Sequence, residues 1–207
     1  MRRNLKLKGV SPLRFGMVRN MNSEEAMERL KEGNARFVTG ERKEYDFVAR
    51  RKELLAGQHP FATILTCSDS RVRPEYIFDS NIGEIFNIET AGNVVDEVSL
   101  GSIEYGVEHL KTPVLMILGH TDCGAVTACC KLEDELAGNL GEIMKKIEPA
   151  ALKTQKKIDD AIDENMKCVK ECILQNSPVV KKAAEDGQVK IVLAKYILET
   201  GEVKVLE

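Results

Sequence analysis

The chain of 207 residues has no long apolar run and no strong excess of charge of either sign. Its hydrophobic stretches stay well short of the ~18 residues that a membrane-spanning helix needs, so we expect no membrane span. The 30 lysines and arginines are nearly balanced by 33 aspartates and glutamates, which gives a net charge of -3. This balance lacks the basic excess of a nucleic-acid-binding domain. What the chain does have, 43% hydrophobic residues, is enough for one sizeable globular domain.

Acidic residues are missing from the start of the chain, where the first one is Glu24. The residues before it carry only positive charges, at Arg2, Arg3, Lys6, Lys8, Arg14 and Arg19. This leader lacks the continuous apolar segment of a secretory signal. We expect residues 1–22 to form a basic arm that packs on a partner subunit or is partly disordered, and a targeting role stays open.

The six cysteines are not expected to form a disulfide framework. In a long, helix-rich chain without a secretory signal, cysteines are typical of reduced thiols or metal ligands, and we expect a cytoplasmic protein. Buried thiols behave as small hydrophobic side chains. We therefore expect four of the six to pack in or near the core, namely Cys129, Cys130, Cys168 and Cys172.

Helical and strand-like segments alternate along the chain. Asn22 or Ser23 can cap an amphipathic helix that extends to about residue 40. Residues 61–67, 83–90 and 113–120 are short apolar runs, typical of buried parallel strands. The segment 138–175 is charged and mostly helical in pattern, and residues 189–207 predict a core strand, a turn and an edge strand. With no internal repeat or linker, residues 23–207 predict one α/β domain: a central, mainly parallel sheet flanked by helices, with an N-terminal helical arm.

Residues that can bind a metal stand at the ends of two predicted strands. Cys67 ends the first run, and His120 ends the third, with Cys123 three positions later. In open α/β sheets, ligands gather at the carboxyl ends of the strands. If the two strands are neighbours, these three side chains converge there. Two sulfurs and one imidazole suit zinc, and a set of three protein ligands is typical of a catalytic zinc site.

A carboxylate and a guanidinium follow the first cysteine. Asp69 lies two positions after Cys67, and alternate residues of an extended segment share a face, so the carboxylate can approach the metal. Arg71 can hold Asp69 in a bidentate ion pair. If Asp69 instead bound the metal, it would close the site as a fourth ligand. The residues alone leave both partners open.

The stretches "CSDSRV" (67–72) and "GHTDCGAV" (119–126) resemble the metal-site motifs of the β-class carbonic anhydrases. Other stretches resemble the family in the same order: "AMERLKEGNARFVTG" (26–40), "AGN" (91–93), "SIEYGVEHL" (102–110) and "TGEV" (200–203). The resemblance extends from about residue 21 to the C-terminus. Two ligand motifs in the right order, each behind a predicted strand, make it specific.

The resemblance implies a zinc-dependent, reversible hydration of carbon dioxide to bicarbonate and a proton, with one Zn²⁺ per chain. Cys67, His120 and Cys123 would be the zinc ligands. A zinc-bound hydroxide would attack carbon dioxide, while Asp69 accepts its hydrogen bond and Arg71 holds Asp69.

The resemblance also implies a substrate pocket and an oligomer. Gln58, Phe86 and Tyr105 fall at positions that line the pocket in family members. The basic unit of the family is a dimer, so we expect a homodimer or a higher even-numbered homo-oligomer. Some of the pocket residues would then come from the neighbouring subunit.

Two departures from the family pattern and two alternative functions stay open. Ala194 and Ile197 stand where a glycine and an aspartate are common, so local packing can differ there. Glu89 stands where an arginine is common, which puts in doubt an anion contact or a subunit pairing made by that arginine. The same site would also serve a carbon disulfide or carbonyl sulfide hydrolase. A non-catalytic protein is the other alternative, with a structural zinc closed by Asp69 or by Cys130.

Overall fold

The computed structural model describes residues 21–133 and 136–207. The predicted basic arm therefore lies outside the described residues, except for its last two positions. Met21 packs against the core, and Asn22 caps the first helix.

Helices and strands alternate through most of the described chain. The helices are α1 (Ser23–Thr39), α2 (Phe47–Glu53), α3 (Pro74–Ile77), α4 (Glu97–Glu104), α5 (Gly124–Lys131), α6 (Gly138–Lys153), α7 (Ile158–Asn176) and α8 (Pro178–Glu185). The strands are β1 (Ala62–Cys67), β2 (Ile85–Thr90), β3 (Val114–His120), β4 (Lys190–Tyr196) and β5 (Val203–Val205). Short 3₁₀ turns follow α2 and β2, at Leu54–Ala56 and Ala91–Asn93, and α4 continues as a π-helical turn over Tyr105–His109.

The start of α1 follows directly from its sequence. The Asn22 side chain accepts a hydrogen bond of 2.9 Å from the Glu25 N–H, and the Glu25 carboxylate accepts one of 3.1 Å from the Asn22 N–H. This reciprocal pair satisfies two N–H groups that a helix start would otherwise leave open. Gly40 ends the helix in a left-handed conformation, with φ at 78°. The predicted N-terminal helix is thus confirmed.

The strands form one sheet in the order β2-β1-β3-β4-β5. Its first four strands are parallel, and β5 pairs antiparallel with β4. Every residue of β3, the central strand, and of its neighbour β1 is buried. A sheet buried on both faces needs helices on both sides, and apolar clusters lie on each face, one involving α1 and α3 and the other α4, α7 and α8. The predicted α/β class and the neighbouring positions of β1 and β3 are confirmed.

The charged segment from residue 138 to 175 forms two helices, α6 and α7. Between them, Gln155 and Lys156 have φ values of 54° and 60°, which a right-handed helix cannot accommodate. None of the helices within residues 21–133 and 136–207 combines the length and the apolar character needed to cross a lipid bilayer.

A buried carboxylate ties the N-terminal segment to the loop between α3 and β2. The Asp79 side chain is fully shielded from solvent, accepts a 2.6 Å bond from Arg36 Nε on α1, and lies 3.2 Å from the Lys43 N–H. Burial alone would raise the pKa of Asp79, but the bonds from Arg36 and the Lys43 N–H outweigh it and hold the pKa below its usual value. Its stabilising contribution is present above the unfolded pKa of about 3.9 and is lost as the pH falls through the lower folded value.

Asp79→Asn should lower the free energy of unfolding by about 3 kcal/mol at pH 7, because it leaves Arg36 without its anionic partner. Denaturant titration measures this loss of unfolding free energy, which should become smaller as the pH falls below 4. Glu142→Gln is the control, because it removes an exposed carboxylate 2.8 Å from Lys145 and should change stability little. Equal losses in the two variants at pH 7 would contradict the structural role of Asp79.

Candidate metal centre

The parallel register of β1 and β3 brings the predicted metal ligands together. Thr66 lies opposite Leu118, so β1 and β3 end at the same edge of the sheet, with Cys67 and His120 as their last residues. A tight turn then places Cys123 at the start of α5. The ligand atoms of Cys67, His120 and Cys123 all lie within 4.8 Å of one another, and the three residues are buried.

The orientation of the His120 ring favours a cation at its outer nitrogen. Nδ1 lies 2.8 Å from the Thr121 carbonyl oxygen, and because a carbonyl only accepts, Nδ1 carries the proton. Nε2 therefore keeps its lone pair. It is buried and has no hydrogen-bond partner among the described residues. A buried acceptor without a partner is costly, and a bound metal ion would satisfy it.

The two thiols compete for one negative charge. A hydrogen bond from the Cys123 thiol is the main influence that lowers the pKa of Cys67, and the Gly92 N–H also donates to Cys67 Sγ at 3.3 Å. The same thiol–thiol bond, together with burial, raises the pKa of Cys123. Ionising both sulfurs therefore calls for a cation between them, and binding such a cation would release a proton.

The donor set fits zinc better than a hard cation. Thiolate and imidazole ligands suit zinc, whereas calcium and magnesium prefer oxygen. Within the described part of the chain, no fourth cysteine, histidine or carboxylate joins the group. Cys130 lies in the same apolar cluster as Cys67 and Cys123 but is not a member of the group. The structure thus offers a three-residue site.

The Asp69 carboxylate is engaged by Arg71. Arg71 Nε donates to Oδ1 at 2.9 Å, Nη2 donates to Oδ2 at 2.8 Å, and the Arg71 N–H donates to Oδ1 at 2.9 Å. The hydrogen bonds from the Arg71 side chain are the largest influence that lowers the pKa of Asp69 to about 2. The carboxylate is therefore ionised at neutral pH, and both of its oxygens face the guanidinium.

Glu89 finds its counter-charge within the same chain. Arg73 Nη1 donates to Glu89 Oε2 at 2.5 Å, which links the loop after β1 to the end of β2. Sequence reasoning identified the charge at position 89 but missed its partner, since the two residues are 16 positions apart. No signal in the sequence places the two residues together, because their contact follows from the parallel pairing of β1 with β2.

The three predicted pocket residues lie away from the metal-ligand group of their own chain. Gln58 is exposed in the segment that leads into the amino end of β1. Phe86 pairs with Thr63, four residues before Cys67, which corresponds to about 13 Å of strand. The Tyr105 ring lies 5.9 Å from the Phe86 ring and is about half exposed. The structure brings Phe86 and Tyr105 together, but not to the metal-ligand group of their own chain.

The remaining cysteines pack as predicted. Cys129 and Cys130 are buried, Cys168 and Cys172 are half-buried, and no disulfide joins any of the six. Burial is the main influence that raises the pKa of the Cys129, Cys130 and Cys168 thiols, so these three are protonated at neutral pH.

Sequence comparison links the chain to known enzymes. A family model described as carbonic anhydrase matches residues 62–203. A carbonic anhydrase from Mycolicibacterium smegmatis is 37% identical over 89% of this chain and 94% of its own length. Carbonic anhydrase 2 from Mycobacterium tuberculosis is 34% identical over 88% of this chain and 92% of its own length.

Solved structures give the same answer. The β-carbonic anhydrase CcaA aligns with a TM-score of 0.68 and 28% identity over 86% of each chain. The Coccomyxa β-carbonic anhydrase, solved with acetazolamide, aligns with a TM-score of 0.65 and 29% identity over 78% of this chain and 80% of its own. The family model covers more than half of the chain, the curated relatives cover nearly all of it, and the fold is shared. The chain belongs to the β-carbonic anhydrase family.

Proposed function

We propose that this protein is a zinc-dependent carbonic anhydrase that catalyses the reversible hydration of carbon dioxide to bicarbonate and a proton. The observation that carries the proposal is the buried Cys67–His120–Cys123 group, with its unpartnered His120 Nε2, beside an ionised Asp69. A structural role alone would not need a carboxylate held ionised next to the ligands.

Cys67, His120 and Cys123 would hold the zinc ion. Bound zinc would supply a Lewis acid that lowers the pKa of water and makes a nucleophile available near neutral pH. The Gly92 N–H and the Thr121 carbonyl support this ligand set, because they fix one sulfur and the imidazole ring. Such outer contacts orient the ligands before the metal arrives.

Asp69 would orient the attacking water. Because its pKa is about 2, the carboxylate accepts hydrogen bonds at neutral pH and cannot donate one. A water that donates to Asp69 is restricted in the direction of its lone pairs, which can then face the carbon of carbon dioxide. Arg71 keeps the carboxylate in place through two parallel bonds. Attack forms the new C–O bond as one C=O π electron pair of carbon dioxide moves onto its oxygen. The attacking water loses one O–H proton, which passes to solvent buffer, and bicarbonate leaves.

The positions of Asp69 and Cys130 favour an open site over a closed structural one. A structural zinc site is usually closed by four protein ligands, whereas a catalytic site has three and an open position. Both Asp69 oxygens are bonded to Arg71, and Cys130 is outside the ligand group. This arrangement supports catalysis and argues against the non-catalytic alternative.

The direct test is stopped-flow hydration of carbon dioxide by the zinc-loaded protein. We expect one zinc per chain, a rate well above the buffer background, and loss of both on chelation with recovery when zinc is restored. Cys67→Ser should bind zinc more weakly, because a hydroxyl is a poorer ligand than a thiolate. Carbon dioxide hydration no faster than the buffer background in fully zinc-loaded protein would contradict the proposal. Hydrogen sulfide release from carbon disulfide or carbonyl sulfide without carbon dioxide hydration would point to the alternative substrate.

Asp69→Asn should retain zinc but lower kcat about 100-fold. In the variant, the amide oxygen would pair with Arg71 and the NH₂ group would face the water, which reverses the hydrogen bond that orients it. Zinc content and carbon dioxide hydration are measured on the same sample. Glu89→Gln is the control, because it removes a neighbouring negative charge while its amide oxygen can still accept the hydrogen bond from Arg73, so the loop that carries Asp69 stays tied to β2. Full activity of Asp69→Asn would show that the carboxylate is not needed.

We also propose an even-numbered homo-oligomer in which the partner completes the pocket. Phe86 and Tyr105 support this, since they lie far from the ligands of their own chain and Tyr105 is exposed. Sedimentation should give an even multiple of the chain mass; a monomer at every concentration would contradict the proposal.

The six free thiols further support a reducing compartment such as the cytoplasm, and recovery of the protein from an oxidising compartment would contradict this assignment.

A further inference from the structure

We infer that two adjacent residues of α7, Asn165 and Met166, position the proposed metal ligands through contacts to the backbone of neighbouring glycines. Neither belongs to the ligand group. Asn165 acts through Gly92 on Cys67, and Met166 acts through Gly119 on His120. The inference rests on the metal site of the proposed function but not on the reaction carried out there.

Asn165 holds the turn that supports the Cys67 sulfur. Its side chain is buried, and Nδ2 donates to the Gly92 carbonyl oxygen at 2.9 Å. The N–H of the same glycine donates to Cys67 Sγ at 3.3 Å. Gly92 has a φ of 69°, in a region where glycine moves freely and other residues are strained. Bonds to its carbonyl and its N–H fix the two peptide planes on either side of it, and thereby aim the N–H at the sulfur.

Among the described residues, the Asn165 side chain makes no hydrogen bond other than the one to Gly92. Its Oδ1 is buried and has no hydrogen-bond partner among the described residues. Only the NH₂ group can face the Gly92 carbonyl, so this oxygen must point away from it. A buried unpaired oxygen costs free energy that an apolar side chain would avoid. The bond to Gly92 is therefore the feature that distinguishes asparagine from leucine at this position.

Met166 supports the other side of the ligand group. It is fully buried, and its sulfur accepts a hydrogen bond of 3.1 Å from the N–H of Gly119, the residue before His120. A Cβ at position 119 would lie 2.7 Å from this sulfur, so only glycine lets the strand come this close. The backbone that presents His120 thus rests on the Met166 side chain.

Together these contacts make α7 a common support for two ligands on different strands. Cys67 ends β1 and His120 ends β3, while Asn165 and Met166 follow one another on one helix. A shift of α7 would change the spacing between the two ligands. Asn165 and Met166 are positioning residues, whose effect should appear in metal binding before any substrate is present.

The test is zinc binding by full-length Asn165→Leu, measured by chelator competition without substrate. We expect the dissociation constant to rise about 10- to 100-fold, as is typical when an outer contact to a ligand is removed. In the cobalt-loaded variant, the thiolate charge-transfer band should shift or weaken. The unfolding midpoint should change little, because the variant loses one hydrogen bond but also removes a buried unpaired oxygen.

Asn34→Leu is the matched control. Asn34 is also a buried asparagine on a helix, but its amide donates to the carbonyls of Ile77 and Gly201 and accepts from the Val203 N–H. Its replacement should lower the unfolding midpoint and leave zinc affinity and the cobalt spectrum unchanged. Met166→Leu conserves volume and should alter the cobalt spectrum with little loss of stability, which tests the inference even when Asn165→Leu does not fold.

Four outcomes separate this inference from the proposed function. Unchanged zinc affinity and cobalt spectrum in folded Asn165→Leu, or in Met166→Leu, would overturn the positioning role. Equal weakening of zinc binding in Asn34→Leu would also overturn it, because the effect would then follow stability. Normal zinc binding without carbon dioxide hydration would reject the proposed reaction and leave the positioning role standing, whereas a wild-type chain that binds no zinc would reject both.

Discussion

The parallel pairing of β1 with β3 is the constraint on which the site depends. Parallel strands end at the same edge of a sheet, so two residues that are 53 positions apart in sequence, Cys67 and His120, become neighbours. The full burial of both strands protects this register, because a shift by one residue would turn every side chain to the opposite face. The position of the metal-ligand group is therefore set by the core, and the turn after His120 has only to return Cys123 to the same place.

The charges near this edge are arranged in local pairs. Arg71 binds Asp69 within the loop after β1, and Arg73 binds Glu89 across to β2. The two arginines are separated by one residue, so one loop carries both cations. The Arg73–Glu89 pair is partly exposed, so its contribution to stability is small. Its value is geometric, since it ties the loop that carries Asp69 to a strand of the sheet. Glu89 thus has a counter-charge within its own chain.

The sequence predicted what periodicity and short spacing encode. The buried runs predicted β1, β2 and β3, and a cap at Asn22 or Ser23 predicted the start of α1. The placement of Cys67, His120 and Cys123 followed from the rule that ligands gather at the carboxyl ends of parallel strands. The Arg73–Glu89 pair could not be predicted, because it depends on the register between two strands. Gln58, Phe86 and Tyr105 were identified only by resemblance, and a single chain does not bring them to the ligands.

The sequence could not predict the contacts of Asn165 and Met166, for a different reason. Asn165 and Met166 lie on an amphipathic helix, where a sequence pattern marks them only as buried or polar positions. Their partners, Gly92 and Gly119, contribute backbone groups. Because nearly every residue has a backbone N–H and a carbonyl, the residue type does not show which of these groups is used. What the sequence does record is the absence of a side chain: a Cβ at 119 would meet the Met166 sulfur, and a Cβ at 92 would lie 2.7 Å from an Ile147 carbon. Glycines that contact or precede ligand residues therefore mark the close approach of a supporting helix, which is α7 at Gly119 and α6 at Gly92.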